Sequence, residues 1–277
     1  MNLHSALKHT QQQLAAGNCS NVQQEARWII EQLCREFSLT TNTNSLPQSF
    51  LQRLTQFIQR RQAGEPLQYV LGNTAFHCLE LQVGPGVLIP RPETEILVEQ
   101  ALNCYPGQGM VCDLCTGSGA IALAMAKNLP QTSFVGSDLS EEALFWARKN
   151  QQTNNLQNVT FLQGDLFQPL AKEWRFSLLT ANPPYVSTQE YQELPAMIRD
   201  YEPGLALLGG KEGLDLIARI IRLAPAHLLP EAWILLEIGA AQGAAVYELL
   251  TANQYANVQI RQDYAGKDRI AIAQTTA

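Results

Sequence analysis

The stretch Phe176-Ser-Leu-Leu-Thr-Ala-Asn-Pro-Pro-Tyr185 decides how the rest of this chain is read. Its first six residues have the length and apolar character of a strand buried on both faces, the kind found in parallel sheets. Pro183 and Pro184 cannot continue a central strand, because neither offers an N–H to the ladder and each holds φ near about −65°. The chain must leave the sheet there in a stiff loop. That loop leaves the Pro183 carbonyl free of ladder duty and holds the Asn182 amide beside it, so two neutral oxygen acceptors can converge on one NH2 group. Tyr185 adds an aromatic face. The set suits a planar amide or amine gripped by its N–H bonds, stacked on a ring, with its nitrogen turned toward an electrophile.

Outward from this strand, the region beyond about residue 92 alternates strand-like and helix-like runs. Strands are expected near Met110–Leu114, Ser133–Asp138, Val159–Asp165, Phe176–Ala181 and Ala232–Ile238, with helices between them, such as Glu141–Asn150 capped by Ser140. The alternation predicts an α/β fold with a mostly parallel, doubly wound sheet. Two last runs, Val258–Tyr264 and Arg269–Gln274, have no helix between them and predict an antiparallel pair at the sheet edge.

The first of these strands runs into Asp113-Leu-Cys115-Thr116-Gly117-Ser118-Gly119. Glycines let the backbone turn sharply and approach a ligand, and the helix that follows presents free N–H groups. Asp138 ends the second strand 19 positions beyond Gly119, where a carboxylate can accept both hydroxyls of a ribose. Asp165 is read as ending the third strand, within reach of an adenine amino group. Three acids thus mark one edge of the sheet, where open α/β folds bind ligands. A nicotinamide dinucleotide would bring a pyrophosphate, disfavoured by Asp113. S-adenosylmethionine would bring an ammonium that Asp113 can receive. The amide-gripping loop after Phe176–Ala181 has a use in methyl transfer to nitrogen and none in hydride transfer.

The chain's 277 residues, 46% of them hydrophobic, are enough for one large and one small domain. A formal net charge of −6 argues against direct gripping of nucleic acid. No run approaches the roughly 18 to 20 apolar residues of a membrane span, and a signal-peptide core is lacking, so the expected location is cytoplasmic. Six scattered cysteines read as free thiols, and Cys112-x-x-Cys115 lacks the second Cys or His pair that a metal site needs. Residues 1–65 are rich in Gln and Leu with helical period, as in Val22–Leu33 and Phe50–Ile58, and predict a helical bundle. A polar loop is expected over Thr40–Ser45. Residues 66–91, with short β-like runs broken by glycines, predict a hairpin linker, leaving 92–277 as the catalytic domain.

Together, Pro66-Leu-Gln-Tyr69-Val-Leu-Gly72, Val87-Leu-Ile-Pro-Arg91-Pro-Glu-Thr-Glu95, the glycine loop, Asn182–Tyr185, Tyr201-Glu-Pro203 with Gly209-Gly210, and Leu236-Glu-Ile-Gly239 resemble the release-factor glutamine methyltransferases, the PrmC/HemK family. The tetrapeptide alone is shared with DNA adenine and cytosine amino-methyltransferases. The resemblance implies an S-adenosylmethionine-dependent methyltransferase fold, with Cys115–Gly119 around the methionine end, Asp138 on the ribose, and Asp165 with Leu166 on the adenine. It further implies that Asn182, Pro183, Pro184 and Tyr185 hold the glutamine of the Gly-Gly-Gln motif of class 1 release factors, giving N5-methylglutamine and S-adenosylhomocysteine. Cys115 stands where the family more often has Gly, and fits if its φ stays negative. Arg91-Pro92-Glu93 reads as a proline-started helix with acids in its first turn, and its place in the family signature implies that it also lines the cofactor entrance. The N-terminal bundle is expected to dock the partner. The alternatives are a DNA or RNA amino-methyltransferase with the same loop, and a non-catalytic binding module.

Overall fold

In a computed structural model, which describes residues 1–17, 19, 21–40, 43 and 45–276, the N-terminal helical periodicity becomes α1 (Leu3–Ala15), α2 (Val22–Glu36) and α3 (Gln48–Gln62). Ala26, Ile29, Ile30 and Leu33 follow the i, i+3, i+4, i+7 spacing of one helix face and are buried against Leu14, Phe50 and Phe57. Each of the Ile, Leu and Phe side chains, fully withdrawn from water, contributes about 1.5–3 kcal/mol before entropy is subtracted. Glu25 and Arg61 are buried beside this core and satisfy each other, with Arg61 Nε donating to Glu25 Oε2 at 2.7 Å. Of the polar loop expected over Thr40–Ser45, Thr41, Asn42 and Asn44 lie outside the described residues.

The linker differs from expectation. Leu67–Leu71 is a helix, α4, and the hairpin is confined to β1 (Asn73–Phe76) and β2 (Leu79–Gln82). The composition of Leu-Gln-Tyr-Val-Leu suits a strand, whereas its flanks decide: Pro66 starts the turn, and Gly72, at φ +80°, ends it by donating its N–H to the Gln68 carbonyl at 2.8 Å. Residues 1–73 form one unit together with 195–201, which include α9 (Ala196–Arg199).

The second unit comprises 74–194 and 202–277. Its strands are β3 (Met110–Leu114), β4 (Phe134–Asp138), β5 (Val159–Gln163), β6 (Phe176–Ala181), β7 (Leu228–Glu237), β8 (Ala256–Gln262) and β9 (Asp268–Gln274). They assemble in the order β5-β4-β3-β6-β7-β9-β8, parallel from β5 to β7, with β9 antiparallel to both of its neighbours. The helices are α5 (Pro92–Cys104), α6 (Ala120–Asn128), α7 (Glu141–Thr153), α8 (Thr188–Glu193), α10 (Asp215–Leu223) and α11 (Gly243–Ala252). Strand alternation divides the core between the two faces of the sheet. Val111 and Leu178 join Leu97 and Leu123 in one apolar layer; Cys112 and Leu179 join Ile217, Ile221 and Val246 in the other.

This topology positions the site. Strand order reverses at β3, since β4 lies on one side of it and β6 on the other, and such a switch point opens a crevice at the carboxyl ends of the strands. Leu114 pairs with Ala181 in register, so Cys115 and Asn182 leave the sheet at the same level.

Candidate active site

A cavity of about 570 Å³ lies at this crevice. Of the residues expected to hold a cofactor, Cys115, Thr116, Gly117, Ser118, Asp138, Asp165, Leu166 and Asn182 line it, as does Pro184 of the acceptor loop. Asp113 and Gly119 do not, and both serve the loop from behind. Asp113 is turned into the protein, where its carboxylate accepts hydrogen bonds from Thr116 Oγ1 at 2.5 Å and from Thr180 Oγ1 at 2.8 Å. A direct bond from Asp113 to a ligand ammonium is therefore not what this geometry offers. Burial drives its carboxyl up to about 7, although the two hydroxyls pull the other way.

The glycine loop is held by strand-end groups. Thr116 N–H donates to the Ser137 carbonyl at 3.0 Å, Gly117 N–H to Asp138 Oδ2 at 2.8 Å, and Ser140 N–H to Asp138 Oδ1 at 2.9 Å. Asp138 thus bridges two loops, and burial raises its carboxyl above the ordinary range. At Gly119, φ is +79°, and a Cβ there would sit 2.9 Å from Phe161 Cζ and 3.0 Å from Leu123 Cδ1. Cys115 departs from expectation: its φ is +54°, in the left-handed region that the sequence reading required it to avoid. An L-residue bears this conformation at a cost of roughly 1–2 kcal/mol. Burial and the carboxylates of Asp138, Asp113 and Asp165 push its thiol well up, so it lines the cavity as an un-ionised wall.

Asp165 lies beyond β5, which ends at Gln163, and its Oδ2 accepts from Arg219 Nη2 of α10 at 2.7 Å. It enters the cavity wall already paired with a cation. Leu166, at φ +52°, offers its carbonyl to Ser137 Oγ at 2.8 Å.

The Asn182–Tyr185 loop is built differently. After the prolines the chain makes a parallel bridge from Val186 to Leu208, with Gly209 N–H donating to the Val186 carbonyl at 2.9 Å. Gly209 must be glycine for this approach, since a Cβ there would lie 2.5 Å from the Pro184 carbonyl oxygen. Gln242 fastens the far end, its Nε2 donating to the Tyr185 carbonyl at 3.0 Å and to the Gly213 carbonyl at 3.2 Å. A second, small recess of about 40 Å³ adjoins the loop, lined by Asn182, Tyr185, Arg91 and Glu237. Asn182, Leu88 and Ala206 line both the recess and the large cavity. Pro183 is buried and lines neither, and among the described residues no histidine lines either.

Arg91 is the N-cap residue of α5, with Pro92 at its first position and Glu93 and Glu95 in its first turn. Its guanidinium pairs with the buried carboxylate of Glu202, which also accepts from Ile89 N–H at 3.0 Å. Arg91 therefore lines the recess, whereas Pro90 lines the large cavity. Thr94, Glu202, Glu237 and Gln242 were missed by sequence reasoning as site residues. Glu237 had a readable signal, an acid closing the apolar run Trp233–Leu236.

This sheet order, with its crevice at the carboxyl ends of the strands, is the fold of the S-adenosylmethionine-dependent methyltransferases. Residues 92–206 match the Methyltransferase small domain, and residues 5–72 match the PrmC N-terminal domain. The fold is similar to that of a crystallised methyltransferase from Pyrococcus furiosus, with a TM-score of 0.55 at 20% identity over 72% of this chain and 90% of that one. The chain is 46% identical over 225 residues to the release factor glutamine methyltransferase of Thermodesulfovibrio yellowstonii, covering 80% of each. It is 40% identical to that of Moorella thermoacetica over 99% of this chain and 98% of the other. The chain belongs to the release factor glutamine methyltransferase family.

Proposed function

We propose that this enzyme methylates the side-chain amide nitrogen, N5, of the glutamine in the Gly-Gly-Gln motif of class 1 peptide-chain release factors, using S-adenosylmethionine. The observation that carries the reading is Asn182 as a wall common to the cavity of about 570 Å³ and the small recess of about 40 Å³. The cavity fits the cofactor: its floor is backbone at Gly117, where a Cβ would meet nothing within 4 Å, and its rim carries the Asp138 carboxylate. Cys115–Gly119 would hold the methionine end, Asp138 the ribose hydroxyls, and Asp165 with Leu166 the adenine. S-adenosylmethionine, when bound, supplies an electrophilic methyl group on a sulfonium sulfur.

The chain's own contribution is to make a poor nucleophile adequate. An amide nitrogen shares its lone pair with its carbonyl. The Asn182 side-chain oxygen and the Pro183 carbonyl accept its two N–H bonds, which concentrates electron density on nitrogen and favours its pyramidal form. Pro184 and Tyr185 fix the loop and the plane of the acceptor. Burial and the neighbouring Glu237 push the Tyr185 phenol upward, so it stays neutral and donates to Glu237 Oε1 at 3.2 Å. Orientation and fixed dipoles do most of the work. The N-methylated amide cation that results is strongly acidic and loses its proton to an acceptor oxygen or to water, so no strong base is needed beforehand.

The N-terminal helical unit supplies the docking surface, because a glutamine at a loop tip is too small to select one protein. Trp28, 46% exposed on α2, is the anchor we select there. Trp28→Ala is expected to raise KM for intact release factor several-fold while leaving a Gly-Gly-Gln peptide unaffected; equal effects on both would remove this role. Six cysteines that are all free thiols accord with a cytoplasmic setting.

The deciding experiment offers labelled S-adenosylmethionine with purified release factor, its Gly-Gly-Ala variant and duplex DNA, and maps the product by mass. Label on the wild-type factor alone supports the reading. Label on DNA, or equal label on both factors, overturns the acceptor, and cofactor binding without transfer to any of the three makes the chain a binding module. Among the described residues no helix is long and apolar enough to cross a membrane.

A further inference from the structure

A methyl acceptor gripped by its N–H bonds needs Asn182 to present oxygen, and an Asn side chain can equally well present nitrogen. The two ends of the amide have the same shape, so packing cannot choose between them; only the polarity of a hydrogen-bonding neighbour can. That neighbour is Thr94 on α5, whose Oγ1 lies 3.3 Å from Asn182 Nδ2. A threonine hydroxyl has one proton and can serve either polarity, which moves the question one residue further.

Thr94 Oγ1 also lies 2.6 Å from Glu237 Oε2, at the end of β7, and both side chains are buried. The other oxygen of the same carboxylate, Oε1, accepts from Tyr185 OH. A carboxylate only accepts, so the single Thr94 proton is committed to Glu237, and the lone pairs left on Thr94 Oγ1 face Asn182. Nitrogen is the end of the amide that suits them. With the amide reversed, its oxygen would meet the Thr94 oxygen with no proton between, and its NH2 would face the N–H bonds of the acceptor.

We infer that Thr94 and Glu237 are positioning residues that set the direction of the Asn182 amide and so make its oxygen the acceptor-binding end. The inference rests on the proposed transfer to an amide nitrogen, and it assigns to the buried acid Glu237 a role exerted through Thr94 and the Asn182 amide. Burial raises the Glu237 carboxyl above its ordinary range, against the pull of Thr94, Arg269 and Tyr185. The acceptor role rests on geometry, since each of its two oxygens receives one hydroxyl, Oε2 from Thr94 and Oε1 from Tyr185. Thr94, Glu237 and Asn182 come from three separate elements, α5, the end of β7 and the turn after β6, so no local backbone requirement explains the set.

The test is Thr94→Val, which preserves shape and removes the hydroxyl, beside Thr94→Ser, which restores it. Thr94→Val is expected to lower kcat about 10- to 100-fold. KM for release factor and Kd for S-adenosylmethionine should stay within about threefold, and Thr94→Ser should recover most of the turnover. In an Asn182→Ala background, Thr94→Val should cost nothing more, because it acts only through the amide. Exchange of the Asn182 side-chain NH2 with solvent, followed by NMR and assigned with Asn182→Asp, should be slow in the wild type and accelerated in Thr94→Val. Wild-type turnover in Thr94→Val, or losses that add in the double variant, would overturn the inference. Failure of the wild type to modify glutamine would instead overturn the proposed function, and the exchange measurement would still report whether Thr94 holds the amide.

Discussion

Two loops leave the same sheet at the same level, one after β3 and one after β6, and they are made in opposite ways. The β3 loop is shaped by backbone: Cys115, Gly117 and Gly119 all have positive φ, and Asp113 and Asp138 hold the turn through hydrogen bonds from Thr116 Oγ1 and Gly117 N–H. The β6 loop is shaped by two prolines, and its side chains are wired to a buried acid: Asn182 bonds Thr94, and Thr94 and Tyr185 both bond Glu237. A cofactor common to many enzymes needs a pocket of a given form, which backbone supplies. Activation of one amide needs atoms of a given polarity, which the proposed reading takes from one side chain, Asn182, and one backbone carbonyl, Pro183.

The contrast is sharpest at Asn182. Asn182→Ala should lower turnover by about 10² or more while leaving S-adenosylmethionine affinity within a few-fold, measured by single-turnover kinetics and calorimetry. Unchanged turnover would break the comparison, since the β6 loop would then act by shape alone. The counterpart on the other loop is Gly119→Ala, where positive φ and the approach of Phe161 and Leu123 both oppose a methyl group. A loss of about 1–3 kcal/mol in urea unfolding is expected, with weakened cofactor binding and a normal kcat at saturation.

Asp113 separates the loops by pH. Its folded carboxyl sits near 7 against an ordinary 3.8, so the folded state holds a proton that the unfolded state gives up. The associated stability is present below about pH 4 and is lost as pH rises to about 7, at up to about 1.4 kcal/mol per unit. Asp113→Asn should flatten that slope in unfolding measurements across the window, and a profile parallel to the wild type would show that another group carries it. The smallest effect is expected from Cys115→Gly. Relief of the left-handed strain, partly offset by a more flexible unfolded chain, should change stability by no more than about 1 kcal/mol, with cofactor affinity preserved. A larger loss would mean that the thiol itself packs the cavity.

What was legible in the sequence shares a feature: the signal is local. A six-residue apolar run stopped by Pro183-Pro184, glycines after Asp113, and Asp138 at a strand end each state their geometry within a few residues. The features that escaped are those settled by distant partners or by flanks. Leu67–Leu71 has strand-like composition and is a helix because of Pro66 and Gly72. Asp113 is turned inward by Thr180, 67 positions away, and Asp165 is held by Arg219, 54 positions away. Thr94 and Glu237 stand 143 positions apart, each within a recognisable motif, and neither motif names the other. The positive φ of Cys115 had no local sign either, since cysteine is an ordinary residue at negative φ.

The place of β9 gives the site a history. It is the last strand in chain order, yet it lies inside the sheet, between β7 and β8, and its Ile270 pairs with Glu237. During synthesis β7 emerges with one flank bare, and Glu237 waits for its neighbour Ile270, made some thirty residues later. This contact joins other long-range pairings in the sheet, such as Leu114 of β3 with Ala181 of β6. Until β9 pairs, the flank of β7 that carries Glu237 keeps unpaired N–H and C=O groups, the kind of edge that templates pairing with another chain.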